Sequence, residues 1–241
     1  MRSGNPALKA NTFTGITART GGQAMTIQGA TNKTLILLGL VSLTAFWAWG
    51  NPQASTVLIF PAIILGLVVA IATVMKKEWS PVTAPIYAAL EGIALGAISL
   101  FFEKQYPGIV KQAVGLTFGV LFSLLIIYKS RLIKVTENFK MGVFAATGGI
   151  ALFYIVSMVA SFFGVRFTVI YGNSLVSIGF SVFVVVIAAL NLVMDFDFIE
   201  KGAEHKAPKY MEWYGAFGLM VTLVWLYLEI LRLLAKLQSR R

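Results

Sequence analysis

The sequence predicts an all-α membrane protein, a bundle of seven transmembrane helices. Three observations carry this. The chain is 58% hydrophobic and only 12% charged, with a mean hydropathy of +0.80, whereas a soluble domain carries about 25% charged residues. The apolar residues gather in seven runs, each close to the roughly 20 residues that a helix needs to cross a bilayer. Those runs and their compact links use almost all of the 241 residues, which leaves no room for a second, soluble domain. The expected division is a polar cytoplasmic tail over residues 1–33, a membrane domain over 34–236 and a basic tail over 237–241.

The first run, Thr34–Trp49, is short and can draw residues from the tail. The second, Thr56–Met75, follows the link Gly50–Ser55. The third, Pro81–Phe102, carries Ala88, Gly92 and Gly96 at four-residue spacing, the register of a close helix contact in a membrane. The same pattern recurs as Gly115 and Gly119 in the fourth run, Ile109–Tyr128. It recurs again as Ala145 and Gly149, beside Gly148, in the fifth, Met141–Phe163. These motifs predict that helices three to five lie near one another, and they imply packing rather than chemistry.

The sixth run, Ser174–Phe198, is different. Ser177, Ser181, Ala188, Asn191 and Asp195 recur at offsets of 4, 7, 3 and 4 and share one helix face. Such a stripe, ending in a carboxylate, is either the wall of a wet cavity or a packed polar seam. Asp197 points to roughly the opposite side, and Glu200 reaches the interface. Acids at a helix C-terminus oppose the macrodipole, so bound cations, Lys201 and neighbouring lysines, or a raised pKa should compensate them.

Two further acids lie in apolar runs. Glu91 is ten residues into the third run, hence about 15 Å deep. There it serves either as a proton or cation relay or as hydrogen-bonding glue between helices, with Tyr87 one turn away as a donor. In the seventh run, Trp213–Leu234, Gly215, Gly218, Thr222, Trp225, Glu229 and Arg232 share a face. Glu229 and Arg232 are three residues apart and are expected to form a structural ion pair, with Arg232 snorkelling to the interface.

Lys and Arg set the orientation. With a cytoplasmic N-terminus, the inner segments hold thirteen: Arg2, Lys9, Arg19, Lys33, Lys76, Lys77, Lys129, Arg131, Lys134, Lys140, Lys201, Lys206 and Lys209. Before the C-terminal tail the outer ones hold three, Lys104, Lys111 and Arg166. The tail disagrees, because Arg232, Lys236, Arg240 and Arg241 fall outside if the last run spans fully. That run measures about 33 Å as a helix, which favours a full span over a re-entrant one.

The net charge of +10 lies between apolar runs rather than on one face. It therefore points to topology and anionic lipid, and nucleic acid is excluded. With no cysteine there is no disulfide and no thiolate site. The first thirty residues lack an apolar core and are not expected to be a cleaved signal peptide. No internal repeat supports a transporter of two inverted halves. The single histidine, His205, lies in a loop, which argues against a Ser–His protease or a zinc peptidase. Lys236 is too near the end of its run for a retinal Schiff base, and Asp195 and Asp197 on one helix cannot face each other as an aspartyl protease pair. The expectation is a protein that is not an enzyme and needs no cofactor.

The seven runs, the segment Asn191-Leu192-Val193-Met194-Asp195-Phe196-Asp197 and the ending Leu226-Tyr227-Leu228-Glu229-Ile230-Leu231-Arg232-Leu233-Leu234 resemble the Bax inhibitor-1 family, also called the transmembrane Bax inhibitor motif family. The opening Met1-Arg2-Ser3-Gly4-Asn5-Pro6-Ala7-Leu8 and the stretch Met211-Glu212-Trp213-Tyr214-Gly215-Ala216-Phe217 are similar to its bacterial branch. The resemblance covers nearly the whole chain. It implies two groups of three helices around a central seventh, and a pH-sensitive calcium leak gated by aspartates on the sixth and seventh helices. Asp195 matches the first of these. The second falls near Thr222, where the chain departs from the pattern, so the paired gate does not carry over unless Glu91 or Asp197 substitutes.

These readings combine into an expected multi-pass protein of a bacterial inner membrane that leaks calcium or another cation. Asp195, Glu91, Asp197, Asn191 and Ser181 would line the ion or proton path, with Asp195 the possible calcium site. The hard oxygens of Asp, Ser and Asn suit calcium rather than a transition metal. The alternative is a non-conducting regulator of membrane proteases or of stress and cell-death components, acting through the N-terminal tail.

Overall fold

The computed structural model describes residues 23–133, 135–165 and 167–240. Residues 1–22, Lys134, Arg166 and Arg241 lie outside the described residues, and with them most of the N-terminal tail and several charges used for orientation. The helices are α1 (Ile27–Gly50), α2 (Pro52–Met75), α3 (Ser80–Gln105), α4 (Ile109–Lys129), α5 (Glu137–Phe162), the short α6 (Thr168–Tyr171), α7 (Leu175–Glu204) and α8 (Met211–Gln238). Among the described residues seven of them are long and apolar enough to cross a membrane. All seven expected runs are therefore helices.

Local chemistry sets their ends. α1 begins seven residues before the expected Thr34, because the Thr26 hydroxyl accepts from Gly29 N–H at 2.9 Å and caps the first turn. A single residue, Asn51, joins α1 to α2, and Pro52 opens α2 where its missing N–H costs nothing. Gly108, at φ +87°, takes the left-handed turn before α4. Thr136 caps α5 through Phe139 N–H, and Ser174 caps α7 through Ser177 N–H at 3.3 Å.

α7 is longer than expected. It runs past Phe198 to Glu204, so Asp195, Asp197 and Glu200 lie within the helix rather than at its end. The sequence misleads here because hydropathy falls before the hydrogen-bond ladder does. Asp197 is compensated by Lys201, one turn on, whose Nζ donates to Oδ2 at 2.6 Å. α8 is one unbroken helix of 28 residues, with no re-entrant break.

The described residues fall into two compact units. The first comprises residues 23–105 and 197–221. In it α3 packs against both α1 and α2. Gly92 and Gly96 make this possible: a Cβ on Gly92 would overlap Thr44 Oγ1 and the Val41 carbonyl, and one on Gly96 would overlap the Ala45 carbonyl. The small-residue face of α3 thus receives α1. By contrast, a Cβ on Gly115, Gly119, Gly148 or Gly149 would meet nothing within 4 Å. The close helix contacts expected at these four glycines are not formed. Four-residue spacing permits close approach without naming the partner. At the other end of the unit, Tyr87 packs edge-on against Phe217 at 5.2 Å, and Ser80 Oγ donates to Tyr210 O at 3.0 Å.

The second unit comprises residues 106–196 and 222–240. Its apolar centre joins Ile150 of α5 to Val184 and Ile187 of α7, with Tyr154, Phe180 and Trp225 packed around them. Phe153 stands edge-on to Phe180 at 5.3 Å.

Burial differs sharply along the chain. In the most apolar window of each helix, 61% of α8 and 44% of α7 is buried, against 17% for α2, α4 and α5. Phe46, Met75, Phe162 and Phe163 are each more than three-quarters exposed. Apolar surface on that scale needs hydrocarbon around it.

Candidate functional site

The polar stripe of α7 is buried along its length in the second unit. Ser177, Ser181, Asn191 and Asp195 are each no more than 1% exposed. Neighbouring helices account for much of this. The Asn191 amide donates to Thr147 Oγ1 of α5 and to Ile187 O, each at 2.8 Å. The Ile187 carbonyl, which can only accept, fixes the amide's orientation, and its Oδ1 is buried with no hydrogen-bond donor among the described residues. At the start of the helix, Lys236 of α8 donates to Ser181 Oγ at 2.8 Å and to Ser177 O at 3.3 Å. Over this part, the stripe is a packed polar seam.

Asp195 sits one turn beyond Asn191 on the same face and is fully enclosed. Helix register gives its level. α7 and α8 are linked at Ser181–Lys236, and fourteen residues separate both Ser181 from Asp195 and Thr222 from Lys236. At 1.5 Å per residue both intervals are about 21 Å, so on antiparallel helices Thr222 stands level with Asp195. Thr222 is itself 3% exposed. On α8 an alcohol, rather than a second acid, stands at this level.

Glu229 and Arg232 form the expected ion pair, with a third member that the sequence did not reveal. Arg232 Nη1 donates to both Glu229 oxygens at 2.8 and 3.0 Å and to Tyr154 OH of α5 at 2.9 Å. Tyr154 OH in turn donates to Glu229 Oε1 at 3.0 Å. The Glu229 side chain is 2% exposed and that of Arg232 37%, so the acid is inside and the guanidinium reaches outward. Glu229, Arg232 and Lys236 follow at offsets of three and four along one face of α8, a pattern legible in the sequence.

The remaining two residues of the expected path belong to the first unit. Glu91 is partly buried on α3 and hydrogen-bonds Tyr87 one turn earlier. Asp197 pairs with Lys201, as described above. Ser181, Asn191 and Asp195 share one face of α7 in the second unit, and Glu91 and Asp197 belong to the first.

Sequence reading missed one site altogether. Glu212, at the first turn of α8, is fully buried. It accepts from Thr26 N–H at 3.0 Å, from Thr26 Oγ1 at 2.9 Å and from Lys209 Nζ at 2.9 Å, with Lys33 Nζ at 3.8 Å. Beside it Met25 N–H donates to Ala207 O at 2.7 Å, and Ala24 bridges Pro208. Gly29 leaves the space, since a Cβ there would overlap the Glu212 carboxylate. The partners are 186 residues apart, so no local spacing could have announced them.

Among the described residues no three His, Cys, Asp or Glu side chains converge as a metal cage. A resident calcium takes six to eight oxygens. The stripe offers the Asp195 carboxylate and the Asn191 oxygen, while Ser181 already holds Lys236. That set does not fit a resident calcium.

These features define a class, a multi-pass helical membrane protein with a buried polar stripe along α7. The family model described as Bax inhibitor 1 like matches residues 5–239. The chain belongs to that Bax inhibitor 1 like family. No curated protein matches it.

Proposed function

We propose that this protein is a pH-sensitive cation leak of a bacterial inner membrane, with calcium as the leading ion and no enzymatic activity. The observation that carries the reading is the fully buried Asp195 one turn from the acceptor-only Asn191 Oδ1. A carboxylate enclosed among apolar helices is costly, and such groups by default mark ion or proton paths. A proton and a metal cation compete for the same oxygens, which couples flux to pH. Glu91 acts as a second, mid-membrane relay, and Asp197 is a rim acid held by Lys201. The N-terminus is cytoplasmic, in keeping with the lysine and arginine distribution.

The test is purified protein in calcium-loaded vesicles, followed across pH. Asp195→Asn is expected to abolish the pH-dependent component, and Glu91→Gln to reduce it. A pH-dependent flux that Asp195→Asn leaves unchanged overturns the assignment. The absence of flux from wild type, with capture of a membrane protease that is lost on deleting residues 1–22, favours the regulatory alternative. The deletion must stop there, because Thr26 is held by Glu212.

A further inference from the structure

Lys236 lies in the last turn of α8, where a lysine ordinarily extends to the interface. Here it is 7% exposed and folded inward. Its Nζ takes up Ser181 Oγ at 2.8 Å and Ser177 O at 3.3 Å, one hydroxyl and one backbone carbonyl of the polar stripe. No carboxylate lies within salt-bridge distance of it among the described residues, although Glu229 is two turns away and already engaged by Arg232. The ammonium's hydrogen bonds therefore go to neutral oxygens, the kind of ligand with which proteins replace the hydration shell of monovalent cations in a pore.

We infer that Ser177 O and Ser181 Oγ form a cation site which the chain fills with its own Lys236 ammonium, a tethered plug at the end of the seam remote from Asp195. The inference rests on the leak reading for its consequence and on the hydrogen bonds for its existence. Fourteen residues of α7 separate the plug from Asp195, about 21 Å along the helix. A mobile cation in the seam meets a fixed positive charge at one end and a carboxylate at the other. The plug holds the leak low, and displacing Lys236 raises it. The Glu229–Arg232–Tyr154 cluster, one and two turns back along α8, anchors the stem from which Lys236 reaches.

Two measurements test this. In calcium- or potassium-loaded vesicles Lys236→Met is expected to raise efflux about tenfold or more by removing a unit charge from a weakly screened path, and Lys236→Arg to stay near wild type. Efflux from Lys236→Met at the wild-type level, where Asp195→Asn still lowers it, overturns the plug and leaves the leak standing. The second measurement needs no conduction. In detergent, potassium chloride should raise the unfolding midpoint of Lys236→Met relative to choline chloride at equal ionic strength, and leave wild type unmoved. No shift with potassium overturns the site even if nothing conducts. Should Lys236→Met fail to fold, Lys236→Ala, which empties the site, carries both measurements.

Discussion

Removing the Glu212 carboxylate should loosen the start of α1 by an amount that its contacts set. In Glu212→Ala, Thr26 N–H and Oγ1 lose an acceptor that is charged and fully covered. Hydrogen bonds to a charged group contribute about 1.5–3 kcal/mol each, but Thr26 has access to solvent and recovers part of this. Lys209 and Lys33 are 45% and 26% exposed, and their shares are screened to about 0–1 kcal/mol. The expected loss is about 2–4 kcal/mol, or roughly 5–15 °C in the thermal midpoint for a chain of this size. Glu212→Gln keeps an acceptor for Thr26 and should lose only about 1 kcal/mol. Gly29→Ala drives the carboxylate out from the other side and should match Glu212→Ala. The double variant Gly29→Ala/Glu212→Ala should then fall well short of the sum, because both changes remove one interaction. Thermal unfolding in detergent measures all four. Strict additivity, or a Glu212→Ala loss below about 0.5 kcal/mol, refutes the clamp.

Gly92→Ala should destabilise the protein by about 1–3 kcal/mol by forcing α1 from α3, while Gly119→Ala should be neutral or slightly stabilising; equal effects would count against the α1–α3 contact. Tyr154→Phe removes a hydroxyl shared by Glu229 and Arg232 and should cost about 1–2 kcal/mol, read by the same unfolding assay. Thr222→Asp places a second acid level with Asp195, and the calcium efflux of that variant should depend more steeply on pH, since two acids at one site titrate as a pair. An unaltered profile would mean that residue 222 does not share the level of Asp195.

Much of this was legible along the chain. Periodicities of three and four place Ser177, Ser181, Asn191 and Asp195 on one face and Glu229, Arg232 and Lys236 on another, because a helix repeats every 3.6 residues whatever surrounds it. What those faces touch was not legible. Lys236 read as a tail charge, yet it is turned inward by two serines that lie 55 and 59 residues earlier. Gly92 and Gly119 carry the same local signal, yet one meets a helix backbone and the other open space.

The sequence by itself determined the class, the seven long helices and the position of each acid on its helix, since hydrocarbon thickness and helix geometry act on local composition. Only the tertiary structure decided partners: α1 for Gly92, Thr26 for Glu212, Tyr154 for Glu229, and the stripe serines for Lys236. Those choices depend on shape complementarity between segments far apart in the chain, and within a bilayer no gradient of hydrophobicity selects one helix neighbour over another.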